Sequence, residues 1–354
     1  MNDKHITRRR FVRDSLAGAA SIAAGLSAVK QAAAGDKAEA DTKKILNYTP
    51  DMEYRRLGKT DLWVSAVAMG GHWKRVDKIL SATNKTFDQN CHEIVSRCIE
   101  VGINYIDACT DVEVEAYSKA LASRRGKMYL GFSYCAREVR QEECRTSRKL
   151  LESLDMLLQK SNQEYTDLWR ITCMAPGSEH TFGTSCELVD ALEKAKKQGK
   201  ARFIGISSHD RRWLKFMVEY FPQLEVVLFP YTAKAKKVPK DSLFDALRKC
   251  HVGAFGIKPF ASNSIFKGSS APDDPQAEED DRLARLALRH ILCNPQIVPI
   301  PGLVSTHQVD NAARAVKERR EFDLTETEDL ARAMDHTWAK LPRKYEWLKD
   351  WEYV

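Results

Sequence analysis

The chain has 354 residues, 43% hydrophobic and 30% charged, enough for one large domain with a sizeable core. Its formal net charge is +7, but the first 34 residues carry six Lys/Arg against two Asp/Glu, so the rest holds only about +3. A surface so nearly balanced gives no basis for a nucleic-acid partner or an anionic membrane.

The N-terminus comes first. Thr7-Arg8-Arg9-Arg10-Phe11-Val12-Arg13 places an arginine pair before a large apolar residue; a weakly apolar Ala/Gly-rich run spans Leu16 to Ala28, and Ala32-Ala33-Ala34 supplies small residues for cleavage. Residues 1–34 resemble a twin-arginine signal peptide. That implies passage through the twin-arginine export machinery, a periplasmic or other extracytoplasmic location, and no membrane association after signal removal. The apolar run is too short and too rich in small residues for a good transmembrane helix. Residues 35–50 are polar and Ala-rich, a linker, and a folded unit over 51–322 is expected to follow.

From Met52 two short strands around Gly58-Lys59 predict a hairpin, and Val64–Met69 a buried strand ending in Gly70-Gly71. An alternation then sets in. Strands are expected at Asn104–Cys109, Lys127–Tyr134, Asp167–Thr172, Ala201–Ser208, Leu224–Tyr231, Val252–Pro259 and Ile297–Pro301. Helices are expected at 91–101, 114–123, 141–160, 185–198, 211–220, 241–250, 279–292 and 305–318. Several strands are unbroken apolar runs, as a parallel sheet covered on both faces requires. Eight strand–helix units over about 250 residues predict an α/β fold, a (β/α)8 TIM barrel, whose chemistry sits at the strand C-termini. A doubly wound sheet would want a Gly-rich phosphate turn, and Gly70-Gly71 lacks its third glycine. The loops 72–90 and 262–281 fall on the mouth side; residues 323–354 are read as a C-terminal helix and an aromatic tail that docks on the barrel. The stretch G-I-N-Y-I-D-A is one full unit: Gly102 closes a helix, a short strand follows, and Asp107 ends it.

These residues resemble the aldo/keto reductase superfamily. M-E-Y-R-R-L-G-K-T, G-I-N-Y-I-D-A, A-R-F-I-G-I-S-S, I-K-P-F and N-P-Q-I-V-P-I-P-G-L-V-S-T-H-Q-V-D-N-A-A-R-A follow its order over residues 52–320. The resemblance implies an NAD(P)-dependent oxidoreductase acting on a small-molecule carbonyl or alcohol, with a Tyr–Lys–His–Asp tetrad. Asp107 keeps the acid, but Val112, Ser133 and Thr172 occupy the tyrosine, lysine and histidine positions. None of the three performs the role it inherits. The implied cofactor-binding positions are Ser207, Ser208, Lys258, Gly302, Ser305 and Gln308, with Leu228 where a glutamine would hold the nicotinamide amide. A 2′-phosphate has thus lost its basic partners.

Two alternatives stand beside the oxidoreductase. One is a barrel kept for binding a ligand or partner without catalysis. The other is a metal or thiol redox protein. Nine cysteines include no C-x-x-C pair, but Cys109, Cys135 and Cys173 fall at three successive strand ends and His209 follows the next, a set able to surround zinc if the side chains converge. A Cys109–Cys173 or Cys109–Cys135 disulfide is the intermediate form. Asp107 itself is either a working acid or a structural one paired in the mouth, with Lys258 its expected partner.

Overall fold

The computed structural model describes residues 42–71, 76–269, 271 and 273–354, so the twin-arginine segment and most of the expected linker lie outside the described residues. Strands β1 (Tyr54–Arg56) and β2 (Trp63–Ser65) form the antiparallel hairpin. Eight parallel strands follow: β3 (Met69–Gly70), β4 (Tyr105–Ala108), β5 (Tyr129–Phe132), β6 (Thr166–Thr172), β7 (Ala201–Ser207), β8 (Val226–Pro230), β9 (Gly253–Ile257) and β10 (Val298–Ile300). Each pairs with the next in chain order. The sheet closes on itself where Ala68 and Gly70 N–H groups donate to the Pro299 and Pro301 carbonyls at 3.0 and 2.8 Å. The predicted (β/α)8 barrel is therefore the fold.

Helices α1 (Val76–Thr83), α2 (Phe87–Glu100), α3 (Asp111–Leu121), α4 (Ser147–Lys160), α5 (Phe182–Lys197), α6 (Arg211–Tyr220), α7 (Leu243–Lys249), α8 (Ala277–Leu292), α9 (Thr306–Lys317) and α10 (Leu324–Ala339) lie between and after the strands. Their starts follow from side-chain caps: Thr86, Thr110, Thr146, Thr181, Asp210, Ser242, Ser305 and Asp323 each accept a backbone N–H of the first turn. Helix α2 ends before Gly102, whose φ of 84° is the left-handed geometry that favours glycine.

Alternation along the strands sorts the core into two layers. Tyr105, Leu168, Leu228, Phe255 and Ile300 point inward and pack with Leu57, Leu62 and Val64, so the hairpin plugs the lower end of the barrel. Ile106, Trp169, Ile171 and Ile206 point outward into the helical layer. Tyr105 and Phe255 stack inside the barrel at 4.4 Å.

Four boundaries differ from expectation. Val64–Met69 is not one strand: Val64 and Ser65 pair in the hairpin, and the barrel strand begins at Met69. The helix read as 141–160 starts at Ser147, because Thr146 caps it after a separate turn at Glu142–Cys144. The loop 72–90 contains α1. Residues 45–50 are not a linker: Ile45 is buried, and the Leu46 carbonyl accepts from Asn104 at 3.0 Å. The tail docks as expected, since Leu341 and Leu348 pack on Ala261, and Val354 exchanges backbone hydrogen bonds of 2.8 Å with Lys236 and Val238.

Candidate active site in the barrel mouth

Asp107 lies next to the C-terminal end of β4 on the inner face, and two strands away Arg170 stands on the inner face of β6 at the same level. Their side chains form a bidentate pair: Arg170 Nε donates to Asp107 Oδ1 at 3.0 Å and Nη2 to Oδ2 at 2.5 Å. Both are nearly sealed from water, with side-chain exposures of 5% and 7%. Lys258 is thus not the partner of Asp107; Arg170 is, because its planar fork reaches both carboxylate oxygens.

The pair continues into a polar chain. Arg170 Nη1 donates to Thr172 Oγ1 at 3.0 Å, Thr172 lies 2.6 Å from Ser133 Oγ, and Ser133 donates to Glu138 Oε2 at 2.8 Å. Since the Ser133 proton is committed to Glu138, Thr172 donates to Ser133. Glu138 also accepts the N–H groups of Thr172 at 2.6 Å and Tyr134 at 2.8 Å. Burial pushes the Glu138 carboxyl above its ordinary range. Ser133 and Thr172 therefore serve as a hydroxyl bridge between a buried ion pair and a buried acid.

Val112, the residue expected at the tyrosine position, is 56% exposed on the first turn of α3 and turned away from the mouth. One residue on, the helix rotates by about 100° and delivers Glu113 into the mouth, 1% exposed. Its carboxylate accepts from Thr110 Oγ1 at 3.1 Å and the Cys109 N–H at 3.4 Å. A Cβ on Gly71 would lie 2.4 Å from Glu113 Oε1, so glycine there admits the acid. Burial raises the Glu113 carboxyl, and the nearby Asp107 charge adds to the shift.

Cys135 donates its N–H to the Cys109 carbonyl at 3.2 Å, and the Cys109 thiol lies 3.9 Å from Glu113 Oε2. Cys173 does not join them: it is wholly buried in the helical layer, and its thiol donates to the Ile171 carbonyl at 3.4 Å. His209 lies 3.3 Å from Lys258 Nζ and stacks flat on Trp347 of the tail at 3.9 Å. Burial, then Lys258, Arg140 and Arg211, hold its imidazole well below the usual value and neutral. The zinc set Cys109, Cys135, Cys173 and His209 does not assemble, and no other group of three metal-ligating acids, thiols or imidazoles forms among the described residues.

The mouth is a cavity of about 270 Å³ lined by Asp107, Cys109, Glu113, Cys135, Arg140 and Arg170, with Ser207 and Lys258 on its wall. Through Phe260, Asn263 and Gly302 it adjoins a groove of about 570 Å³ between the loop after β9 and the start of α9. Non-glycine residues Lys258, Ala261, Ser262 and Asn263 take φ of 56°, 50°, 56° and 65° along that loop, strain of the kind stored at binding sites. Ser305 and Gln308 line the groove but satisfy local backbone: Ser305 caps the Gln308 N–H, and Gln308 accepts from Val304 at 2.9 Å. Ser208 faces neither cavity; it is buried and donates to the Met174 carbonyl at 3.1 Å. Leu228 is a barrel-interior packing residue. The groove is acidic, with Glu93, Glu278, Asp280 and Asp281 on its walls, while its bases Lys85 and His307 are held by Glu93 and Asp281 at 2.6 and 2.5 Å.

The model of the aldo/keto reductase family matches residues 69–282. The chain is 23% identical to L-galactose dehydrogenase of Arabidopsis thaliana over 301 residues, covering 75% of this chain and 89% of that protein. It is 31% identical to L-glyceraldehyde 3-phosphate reductase of Escherichia coli K12 over 127 residues, 34% of each chain. Among solved structures, the holo form of an aldo-keto reductase from Bacillus halodurans superimposes with a TM-score of 0.60 at 19% identity, covering 83% of this chain and 99% of that one. An aldo-keto reductase from Klebsiella pneumoniae in complex with NADPH gives 0.60 at 17% identity, covering 79% and 94%. The strand order, the barrel mouth and the matched span agree: this chain belongs to the aldo/keto reductase family.

Proposed function

We propose that this protein is a nicotinamide-dependent oxidoreductase of small carbonyls or alcohols in which Glu113 moves the proton that a tyrosine moves in the resembled pattern. The observation that carries this reading is a buried carboxyl of raised pKa, set in the mouth beside the Asp107–Arg170 pair. Such a carboxyl gives a proton while protonated and takes one once ionised, which is what a reversible carbonyl–alcohol conversion needs.

The adjoining groove fits a dinucleotide in its volume and its continuity with the mouth, and its acids suit a ribose 2′-hydroxyl better than a 2′-phosphate. When bound, the nicotinamide supplies or accepts the hydride. The chain's own residues do the rest: Gly302 and the loop 258–263 shape the passage between the cavities, Arg140 offers a cation to the substrate, and Glu113 gives a proton to the carbonyl oxygen as alcohol forms. Asp107 acts at one remove, holding Arg170 and its polar chain rigid.

L-galactose and L-glyceraldehyde 3-phosphate, from the names of two relatives, are the first substrates to assay, with NADH and NADPH compared. Turnover that disappears in Glu113→Gln while nucleotide binding persists supports the reading; equal turnover in that variant refutes it. A second reading, a barrel that binds without catalysing, draws on the outward-facing Val112 and the locking of Asp107 by Arg170. It predicts binding of a ligand with no turnover in either form. We also propose that the protein works outside the cytoplasm after twin-arginine export, on the strength of residues 1–34; fractionation of cells carrying Arg8→Lys, Arg9→Lys protein tests it, and unchanged export would overturn it.

A further inference from the structure

Cys109 and Cys135 follow neighbouring strands β4 and β5, whose last paired residues are Ala108 and Phe132. An inter-strand backbone bond of 3.2 Å joins the two cysteines directly. Such a bond brings the Cα atoms into the span of about 4.4–6.8 Å that a disulfide bridges. Both thiols are free and half-buried, and both line the mouth cavity. We propose that Cys109 and Cys135 form a thiol–disulfide exchange site that accepts small disulfides entering the barrel mouth.

The surroundings set Cys135 apart from the other cysteines, Cys109 included, whose own thiol is pushed well up by Cys135 beside it and by burial. The Cys135 thiol is pulled down to about 7, first by the neighbouring Cys109 thiol and then by Arg170 and Arg140, against burial and the Glu138 charge. Cys91, Cys98 and Cys173 are buried in the helical layer, and burial pushes each of them up. In the first step the Cys135 thiolate attacks one sulfur of a small disulfide, forming a mixed disulfide and expelling one small thiolate. Cys109 then gives up its proton, with Glu113 Oε2 placed 3.9 Å from its sulfur. The Cys109 thiolate attacks the Cys135 sulfur and expels the second small thiolate. The small disulfide is reduced to two thiols, the protein is oxidised by two electrons, and a small thiol reverses both steps. The assignment does not depend on nucleotide binding.

The test uses the full-length reduced protein mixed with oxidised glutathione, quenched by acid and alkylation, and mapped by peptide mass spectrometry. The expected product is a Cys109–Cys135 cross-linked peptide, with a rate that rises about ten-fold from pH 6 to pH 8 and then levels, following the thiolate fraction. Cys109→Ser should stop at a glutathione adduct on Cys135. Modification of the exposed Cys293 while Cys109 and Cys135 remain reduced would overturn the proposal, as would a Cys135 rate still climbing steeply above pH 8. Should Cys109→Ser lose its fold by circular dichroism, the wild-type site map and pH curve decide the matter alone.

Discussion

Replacing Arg170 by Met isolates what the buried pair contributes. The substitution keeps a long apolar stem in the barrel but removes the bidentate contact to Asp107 at 3.0 and 2.5 Å and the bond to Thr172. Asp107, 7% exposed at its side chain, is left as a carboxylate without a counter-charge. Breaking a buried pair from one side costs about 3–5 kcal/mol. The variant can instead protonate Asp107, which caps the cost: from an unfolded carboxyl near 3.9, holding the proton at pH 7 costs about 4 kcal/mol, and at pH 5 about 1.5 kcal/mol. The sign follows. The lone carboxyl has a folded pKa above its unfolded value, so the penalty is absent below about pH 4 and grows as pH rises. At about 2 °C per kcal/mol, Arg170→Met should melt roughly 8 °C below wild type at pH 7, with the gap narrowing to about 3 °C at pH 5. Differential scanning calorimetry at the two pH values reads this directly. A gap independent of pH would refute the argument, because packing loss alone does not titrate. Asp107→Asn added to Arg170→Met should recover part of the loss at pH 7.

Three further outcomes follow. Glu113→Gln should lower kcat by about 10²–10⁴ with little change in nucleotide affinity. In wild type the reduction rate should fall as pH rises through the raised Glu113 pKa, since the protonated acid is the donor, and steady-state pH profiles check whether that limb vanishes in the variant. The acidic groove predicts tighter binding of NADH than NADPH, and Glu278→Lys should narrow the difference; calorimetric titration of both nucleotides measures it. Trp347→Ala removes the ring stacked on His209 at 3.9 Å, at a cost of about 1 kcal/mol, and lets water reach the imidazole. His209 should then titrate closer to its ordinary value by NMR. Because the wild-type imidazole is held low, its folded state loses stability as pH falls through the unfolded histidine value near 6.5, and the variant should lose less.

The barrel was readable because its signals are local and redundant. The run Tyr105-Ile106 between Gly102 and Asp107, repeated in kind around the chain, leaves few architectures open. The hairpin boundary was harder, since Val64 and Met69 sit in one run that only Ser65 interrupts, and only pairing separates them. The site was readable at Asp107 and not beyond it. Arg170 sits in the strand read as Asp167–Thr172, yet counting by twos places Leu168, Arg170 and Thr172 on the inner face, opposite Trp169 and Ile171. That parity was the available signal. Glu113 was obscured for a similar reason: the expected residue falls on Val112, and a helical turn of one position brings the next side chain inside. Cys173 shows the reverse error, a strand-end residue whose parity points it into the helical layer while Cys109 and Cys135 meet in loops beyond their strands.

On the proposed function, the mouth and its adjoining groove form a nicotinamide site. Isothermal titration of NADH into the purified protein reads it, with Gly302→Trp, which fills the passage shared by both cavities, as the blocked control. The expected result is one nucleotide per chain for wild type, none for the control, and a matching rise in melting temperature, worth about 2.7 kcal/mol at a hundred-fold excess over Kd. No heat and no thermal shift with NADH, NAD, NADPH or NADP would contradict it and leave a barrel that serves some other ligand.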